Sequence, residues 1–285
     1  MKNFQEINTK QVLVLGGTGK TGRRVAEKLS QLGISVRIGS RSATPSFDWL
    51  DSSTWGTALE GMDAIYISYQ PDLAVPGAVD VVSSLIESAK TAGILKYVLL
   101  SGRGEEEAQL TEQVLMNASV NYTIIRASWF NQNFSEGYLL DPIAGGYMTL
   151  PVGDVGEPFI DVDDIADIAV AAFTNTAHDG KLYEVTGPRL LTFKEAVQEI
   201  ASATGRNIHY EQISSQDYQQ MMRQYEVPED AIGFISYLFE EVLDGRNAYI
   251  TDDVFRALGR KAKDFSEFAR ETAASGVWEG ELKEN

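Results

Sequence analysis

The sequence predicts an α/β chain: a doubly wound parallel sheet in the first half, then a smaller mixed α/β domain that is mainly helical. Three observations predict it. Strand-like and helix-like segments alternate from Gln11 to Arg126, the pattern of successive βα units. Gly16, Gly19 and Gly22 fall three apart between the first such strand and the first such helix. Beyond Ser214 the strand signals fade and large side chains accumulate at helical spacing.

Each element has its own signal. Gln11 to Leu15 is a short apolar, β-branched run ending in glycine. Thr21 to Leu32 carries Val25, Ala26, Leu29 and Leu32 on one helical face, and Gly33 stops it. Ile34 to Gly39 and Ala64 to Ser68 read as strands. Pro76 opens a helix through Val79, Val82, Leu85, Ile86 and Ala89, ended by Gly93. Tyr97 to Leu100 is a strand, a helix runs from about Glu105 to Asn117, and Tyr122 to Arg126 is the next strand. Tyr138 to Gly156, rich in Gly and Pro, reads as loop or short strands. Asp163 to Phe173 is a helix, Leu182 to Val185 a strand, and Thr192 to Thr204 a helix with Thr192 and Glu195 as a capping box. These signals place a first domain at 1–150 and a second at 151–285, with a soft boundary that the chain can cross back over.

Composition excludes several chemistries. The 285 residues hold 41 Asp and Glu against 24 Lys and Arg, a net charge of -17. Such a surface repels phosphate backbones and anionic lipid, so no nucleic-acid or membrane partner is expected. The chain has no cysteine, which removes disulfides, thiolate nucleophiles, Fe–S clusters and cysteine-ligated zinc. Its two histidines, His178 and His209, have no ligand-like spacing; His178 reads as a solvated loop residue and His209 as facing solvent or a neighbouring strand. No metal site is expected. The polar run Met1 to Lys10 lacks the apolar core of a signal peptide, and no stretch has the length of a membrane span, so a cytoplasmic protein is expected.

The segment from Gly16 to Gly22, Gly-Gly-Thr-Gly-Lys-Thr-Gly, carries the functional signal. A strand turning sharply into a helix, with no side chains in the way, lets backbone approach a pyrophosphate and aims the helix N-terminus at it. This is the context of a Rossmann-type dinucleotide site. A triphosphate loop would need another glycine five residues before Gly19, where Val14 stands inside the strand. Dinucleotide folds selective for NAD place an acid about twenty residues on. No Asp or Glu occurs between Glu27 and Asp48, a gap that holds Arg37, Ser40 and Arg41. Ser40 and Arg41 suit a 2′-phosphate, so NADP(H) is expected over NAD(H); Arg41 could instead pair with Asp48, and Arg37 could simply face solvent.

The expected proton relay is missing. Alcohol-handling short-chain dehydrogenases pair a Tyr with a Lys four residues on, yet none of the 12 tyrosines has one, and no lysine lies between Lys96 and Lys181. Either the protein only senses cofactor, or its acceptor takes hydride without an enzyme acid, as an iminium, quinone or cationic dye does.

Over nearly its whole length the sequence resembles the NmrA-like atypical short-chain dehydrogenases. The residues carrying this are 16–22, Tyr97 to Ser101, the run Tyr122 to Phe134, and Phe159 to Ala166. The turn and Phe47-Asp48-Trp49 make it most similar to the ergot-alkaloid reductases of the agroclavine dehydrogenase type. The resemblance implies an NADP(H)-binding Rossmann domain and a smaller C-terminal domain closing a cleft. It implies that Thr18, Gly19, Lys20 and Thr21 line the pyrophosphate and that Ser40 and Arg41 hold the 2′-phosphate. Phe47, Asp48 and Trp49 would approach the adenine, and Tyr69, Gln70 and Pro71 the ribose. Ser101 would end its strand near the nicotinamide, with Trp129, Phe130 and Asn133 as the wall toward substrate. Ala127 stands where the family commonly has proline.

Asp161, Asp163 and Asp164 open a helix, where Asp is favoured without any ligand. The aromatic and Met residues of 218–239 read as core rather than pocket, while Trp129 and Phe130 fit either. The chain is thus expected to be an NADPH-dependent reductase of a planar conjugated, iminium or quinone-like small molecule. The alternative is a non-catalytic NADP(H)-sensing regulator acting through a protein partner.

Overall fold

The computed structural model describes residues 9–279, so residues 1–8 of the polar N-terminal run lie outside the described residues. In chain order the elements are β1 (Gln11–Leu15), α1 (Lys20–Gln31), β2 (Ser35–Gly39), α2 (Trp55–Leu59), β3 (Ala64–Ile67), α3 (Ala78–Thr91), β4 (Lys96–Gly102), α4 (Glu106–Asn117) and β5 (Asn121–Ala127). They continue with α5 (Leu140–Gly145), β6 (Tyr147–Leu150), α6 (Val162–Thr174), β7 (Lys181–Val185), α7 (Phe193–Thr204) and β8 (His209–Gln212). The last four are α8 (Ser215–Gln224), α9 (Glu229–Tyr237), α10 (Asp253–Leu258) and α11 (Phe265–Ala274).

Two compact units share the chain. One comprises Met1–Ala127, Val162–Val185 and Asp252–Lys261; the other comprises Ser128–Asp161, Thr186–Thr251 and Ala262–Asn285. The first long segment ends at Ala127, ahead of the boundary near 150 expected above, and the chain crosses back where β7 pairs with β5.

The first unit is a six-stranded sheet in the order β2-β1-β3-β4-β5-β7, parallel at every pairing. Its central strands are apolar on both faces: Val12 to Leu15, Ala64 to Ile67 and Tyr97 to Leu99 are all fully buried, as a parallel sheet flanked by helices requires. Helix α1 buries Val25, Ala26 and Leu29, the stripe that the sequence spacing predicts. The chain moves outward from β1 to β2 and then crosses back to β3, so the winding reverses between β1 and β3. In open sheets that reversal opens a crevice at the carboxyl ends of the strands.

Three charged residues of 161–167 are structural ties in this unit. Asp163 pairs with Arg24 at 3.4 Å, Asp167 with Lys28 at 2.8 Å, and the buried Asp164 with Arg260. His178 departs from the expectation of a solvated loop residue. It is buried, its Nδ1 lies 2.9 Å from the Tyr183 hydroxyl, and its carbonyl accepts from Thr123 Oγ1. Burial holds its imidazole below the usual histidine range.

The second unit packs around Phe134, Phe159, Phe193, Phe265 and Trp278. Trp278 is fully buried, and its Nε1 donates to the Phe134 carbonyl at 2.8 Å. Strands β6 and β8 form a two-stranded parallel sheet, on which exposed His209 stacks against Tyr147. The stretch read as loop or short strands, Tyr138 to Gly156, holds helix α5 as well as β6. Thr192 and Glu195 close the capping box of α7. Tyr218, Met222 and Phe239 join the core, whereas Tyr225 is exposed.

Candidate functional site

The glycine turn sits at the winding reversal. Gly16 has φ +66, and a Cβ there would lie 3.1 Å from the Ser68 carbonyl oxygen at the end of β3. Gly22 lies against the turn itself: a Cβ would be 2.8 Å from the Gly16 carbonyl carbon and 2.9 Å from Gly17 Cα. Gly19 caps α1 without a side-chain bond, and the first turn of that helix holds no acid. A negatively charged group can therefore approach this helix end at Gly19 without meeting a carboxylate. Thr18 is exposed, Lys20 half-buried and Thr21 buried.

Past the end of β2 the two candidates for a phosphate differ from their neighbour Arg37. Arg37 Nη1 donates to the carbonyls of Ala58 and Glu60 at 2.9 and 2.8 Å, so it closes the end of α2 instead of simply facing solvent. Arg41 is exposed and has no partner among the described residues, including Asp48. Ser40 Oγ lies 3.3 Å from Ser42 Oγ. Asp48 turns its carboxylate to the Leu50 amide and its carbonyl to Trp55 Nε1. Phe47 is stacked on Trp55, and Trp49 stands edge-on to both Phe47 and Tyr69. Burial pushes the Tyr69 phenol up from its ordinary value. Gln70, joined to Pro71 by a cis peptide, is exposed.

Ser101 is buried one residue before the end of β4, and it is not alone. Its hydroxyl donates to Glu112 Oε1 at 2.7 Å. Glu112 is fully buried on α4 and forms a two-pronged pair with Arg126 of β5. Arg126 also reaches Glu184 of β7 at 3.3 Å, and Glu184 in turn accepts from Arg103 Nε at 3.0 Å. The serine proton is thus committed to a carboxylate, which leaves the oxygen lone pairs for an incoming group.

A second pair has no local signal in the sequence. Past β3 and β4, the carboxyls of Asp72 and Glu105 are neighbours. Glu105 is 7% exposed and fills the space a Cβ on Gly102 would take. Burial first, then Asp72, pushes its carboxyl well above the ordinary range. Burial raises Asp72 too, opposed by bonds such as that from the Ala74 amide at 2.9 Å. In sequence Glu105 is just the first of three glutamates at a helix start.

Trp129, Phe130 and Asn133 belong to the second unit, directly after β5. Ile160 N donates to the Trp129 carbonyl at 2.8 Å and Asn131 N to the Ile160 carbonyl at 2.9 Å, which pins this segment. The Trp129 ring rests on Phe193 and Phe239. All three residues are half-buried. The candidate positions 16–22, 40–41, 69–70 and 101 gather at the carboxyl ends of β1 to β4 in one unit; these three do not share that unit.

Among the described residues no helix is long and apolar enough to cross a membrane. The model of the NmrA-like family matches residues 8–269. The chain is 29% identical to prestalk A differentiation protein A of Dictyostelium discoideum, over 92% of each chain. It is 28% identical to agroclavine dehydrogenase of Claviceps fusiformis, over 94% of this chain and 98% of the other. Solved structures of similar fold include the Citrobacter triphenylmethane reductase complexed with NADP(H), with TM-score 0.73, 18% identity and coverage of 92% and 99%. The NADPH-dependent quinone oxidoreductase of Escherichia coli with NADPH gives 0.73, 20% identity and coverage of 91% and 99%. NmrA, a negative transcriptional regulator in complex with NAD, gives 0.68, 17% identity and coverage of 95% and 99%.

Proposed function

The chain belongs to the NmrA-like family, and from that premise we propose that it is an NAD(P)H-dependent reductase that passes hydride to a planar conjugated, iminium or quinone-like small molecule. The observation that carries the reading is the end of α1 at the winding reversal, where Gly16 and Gly22 close a tight turn and the first helical turn holds no acid. Support also comes from the dye and quinone reductases of similar fold and from the clavine dehydrogenase at 28% identity.

When bound, the reduced nicotinamide supplies a hydride. The residues do the holding. Gly16, Thr18, Gly19, Lys20, Thr21 and Gly22 cradle the pyrophosphate, Ser40 and Arg41 take the 2′-phosphate, and Asp48, Trp49, Tyr69 and Gln70 flank the adenosine side. Ser101, fixed by Glu112, offers its oxygen toward the nicotinamide, and Trp129, Phe130 and Asn133 are assigned to the acceptor. Hydride transfer is then a matter of orientation and a dry pocket, without a Tyr-Lys relay. NADP(H) is preferred over NAD(H), since Arg41 has no anionic partner among the described residues.

The test is cofactor oxidation followed optically against a triarylmethane dye, a quinone and a cyclic iminium compound. Arg41→Ala is expected to weaken NADPH binding by about 10- to 100-fold, the worth of a charge-assisted bond, with little change for NADH. Equal losses for both would remove the 2′-phosphate assignment. The fold shared with the NAD-complexed regulator supports a second reading, a cofactor sensor acting through a protein partner; tight binding with no turnover on any acceptor would favour it.

A further inference from the structure

We propose that Glu105 is the proton donor of this site, held in place by Asp72, and that it serves acceptors whose reduction by hydride leaves an anion. The inference rests on the reductase reading and deepens it, because it supplies the acid that the missing Tyr-Lys pair leaves unassigned.

The geometry is specific. Glu105 lies three residues past the end of β4, and Asp72 five past the end of β3, at the strand ends where open sheets bind ligands. The Glu105 carboxyl lies over Gly102 in space that any side chain there would occupy. It is 93% withdrawn from solvent by its 7% exposure, and its Oε2 is buried with no donor facing it. A buried carboxylate oxygen without a donor is costly, and two neighbouring carboxylates repel each other. One proton on Glu105 resolves both. The charged groups that face it, Asp72 past β3 and Glu107 and Glu112 of α4, are all carboxylates, and each pushes the proton onto it. The N-terminus of α4 opposes them, since Glu105 is its N-cap, but its field is worth only about 1 kcal/mol.

The step balances. A quinone accepts hydride, two electrons with one hydrogen, and becomes a hydroquinone monoanion. The Glu105 O–H bond breaks and its proton forms the second hydroquinone O–H bond. Water then returns a proton to the carboxylate beside Asp72. A cationic triarylmethane dye becomes neutral on taking hydride and has no use for this proton.

The full-length protein provides the test. Glu105→Gln keeps the shape and an amide donor toward Asp72, and it is expected to lower the quinone-to-dye rate ratio on the order of 100-fold, the usual weight of a general acid. In the resting protein near neutral pH, an infrared band of a protonated carboxyl should be present and should vanish in this variant. With Asp72→Asn the proton is held less tightly, so the quinone rate should decline at lower pH than in the wild type. An unchanged quinone-to-dye ratio, or a Glu105 already ionised at neutral pH, would overturn the assignment while leaving the reductase reading intact. If the wild type reduces neither acceptor, the reductase reading fails and takes this one with it.

Discussion

Gly22 and Gly19 look equivalent in sequence, but space separates them. A methyl on Gly22 would press into the Gly16 backbone, whereas one on Gly19 meets only the Gly16 oxygen, at 3.2 Å. Gly22→Ala is therefore expected to open the turn itself, costing about 1–3 kcal/mol as overpacking does and abolishing cofactor binding. Gly19→Val should retain the melting temperature and lose binding alone, because its side chain fills the approach to the helix end. Calorimetry with NADPH and thermal melts on both variants separate the two outcomes. Glu105 makes a further residue-scale prediction. Its folded carboxyl holds a proton to higher pH than an unfolded one, so the native state binds more protons between the two values. Stability should fall as pH rises from the ordinary carboxylate range through the raised value. Urea melts of Glu105→Gln should show a flatter dependence there, and an unchanged slope would contradict the buried proton.

The elements were legible where their signals are local. Strands β1, β3 and β4 announce themselves as apolar runs, α1 by its stripe and Gly33, and α7 by its capping box, since each depends on residues within a few positions. Ser101 is legible only through the family resemblance, which places it at a strand end. Its partner Glu112 is not, because α4 turns that face inward only once packed beside β4 and β5, and no spacing reports it. Asp72 and Glu105 meet across two loops, and His178 is buried by β5 and β7; such pairings exist only in the assembled sheet. The hydrogen-bonded charges along β4, β5, β7 and α4 carry a test of this scale. Glu112 is fully buried, while half-buried Arg126 keeps Glu184 as a partner, so Glu112→Gln is expected to cost about 1–3 kcal/mol, read as a lower urea midpoint with unchanged slope. The glutamine oxygen can still accept from the Ser101 hydroxyl, so stability should fall with little change in cofactor binding.

At the scale of the molecule, charge opposes the proposed cofactor. A protein of net charge -17 repels a polyanion from beyond the reach of Arg41. Screening weakens that repulsion over about 10 Å at 0.1 M salt. NADPH association, followed by stopped flow, should accelerate as salt rises at low ionic strength, the reverse of a basic nucleotide-binding protein. A rate that falls with salt would mean that the local cations dominate at long range.

The return of β7 to the first sheet has a consequence during synthesis. Until Val185 has left the ribosome, β5 carries an unpaired edge, and α10 follows only after Asp252. The nascent chain must therefore keep an incomplete sheet from pairing with its neighbours while the first segment of the second unit, Ser128–Asp161, emerges. Halting translation ahead of Lys181 should leave a chaperone-dependent, aggregation-prone intermediate, and halting it after Leu258 should not.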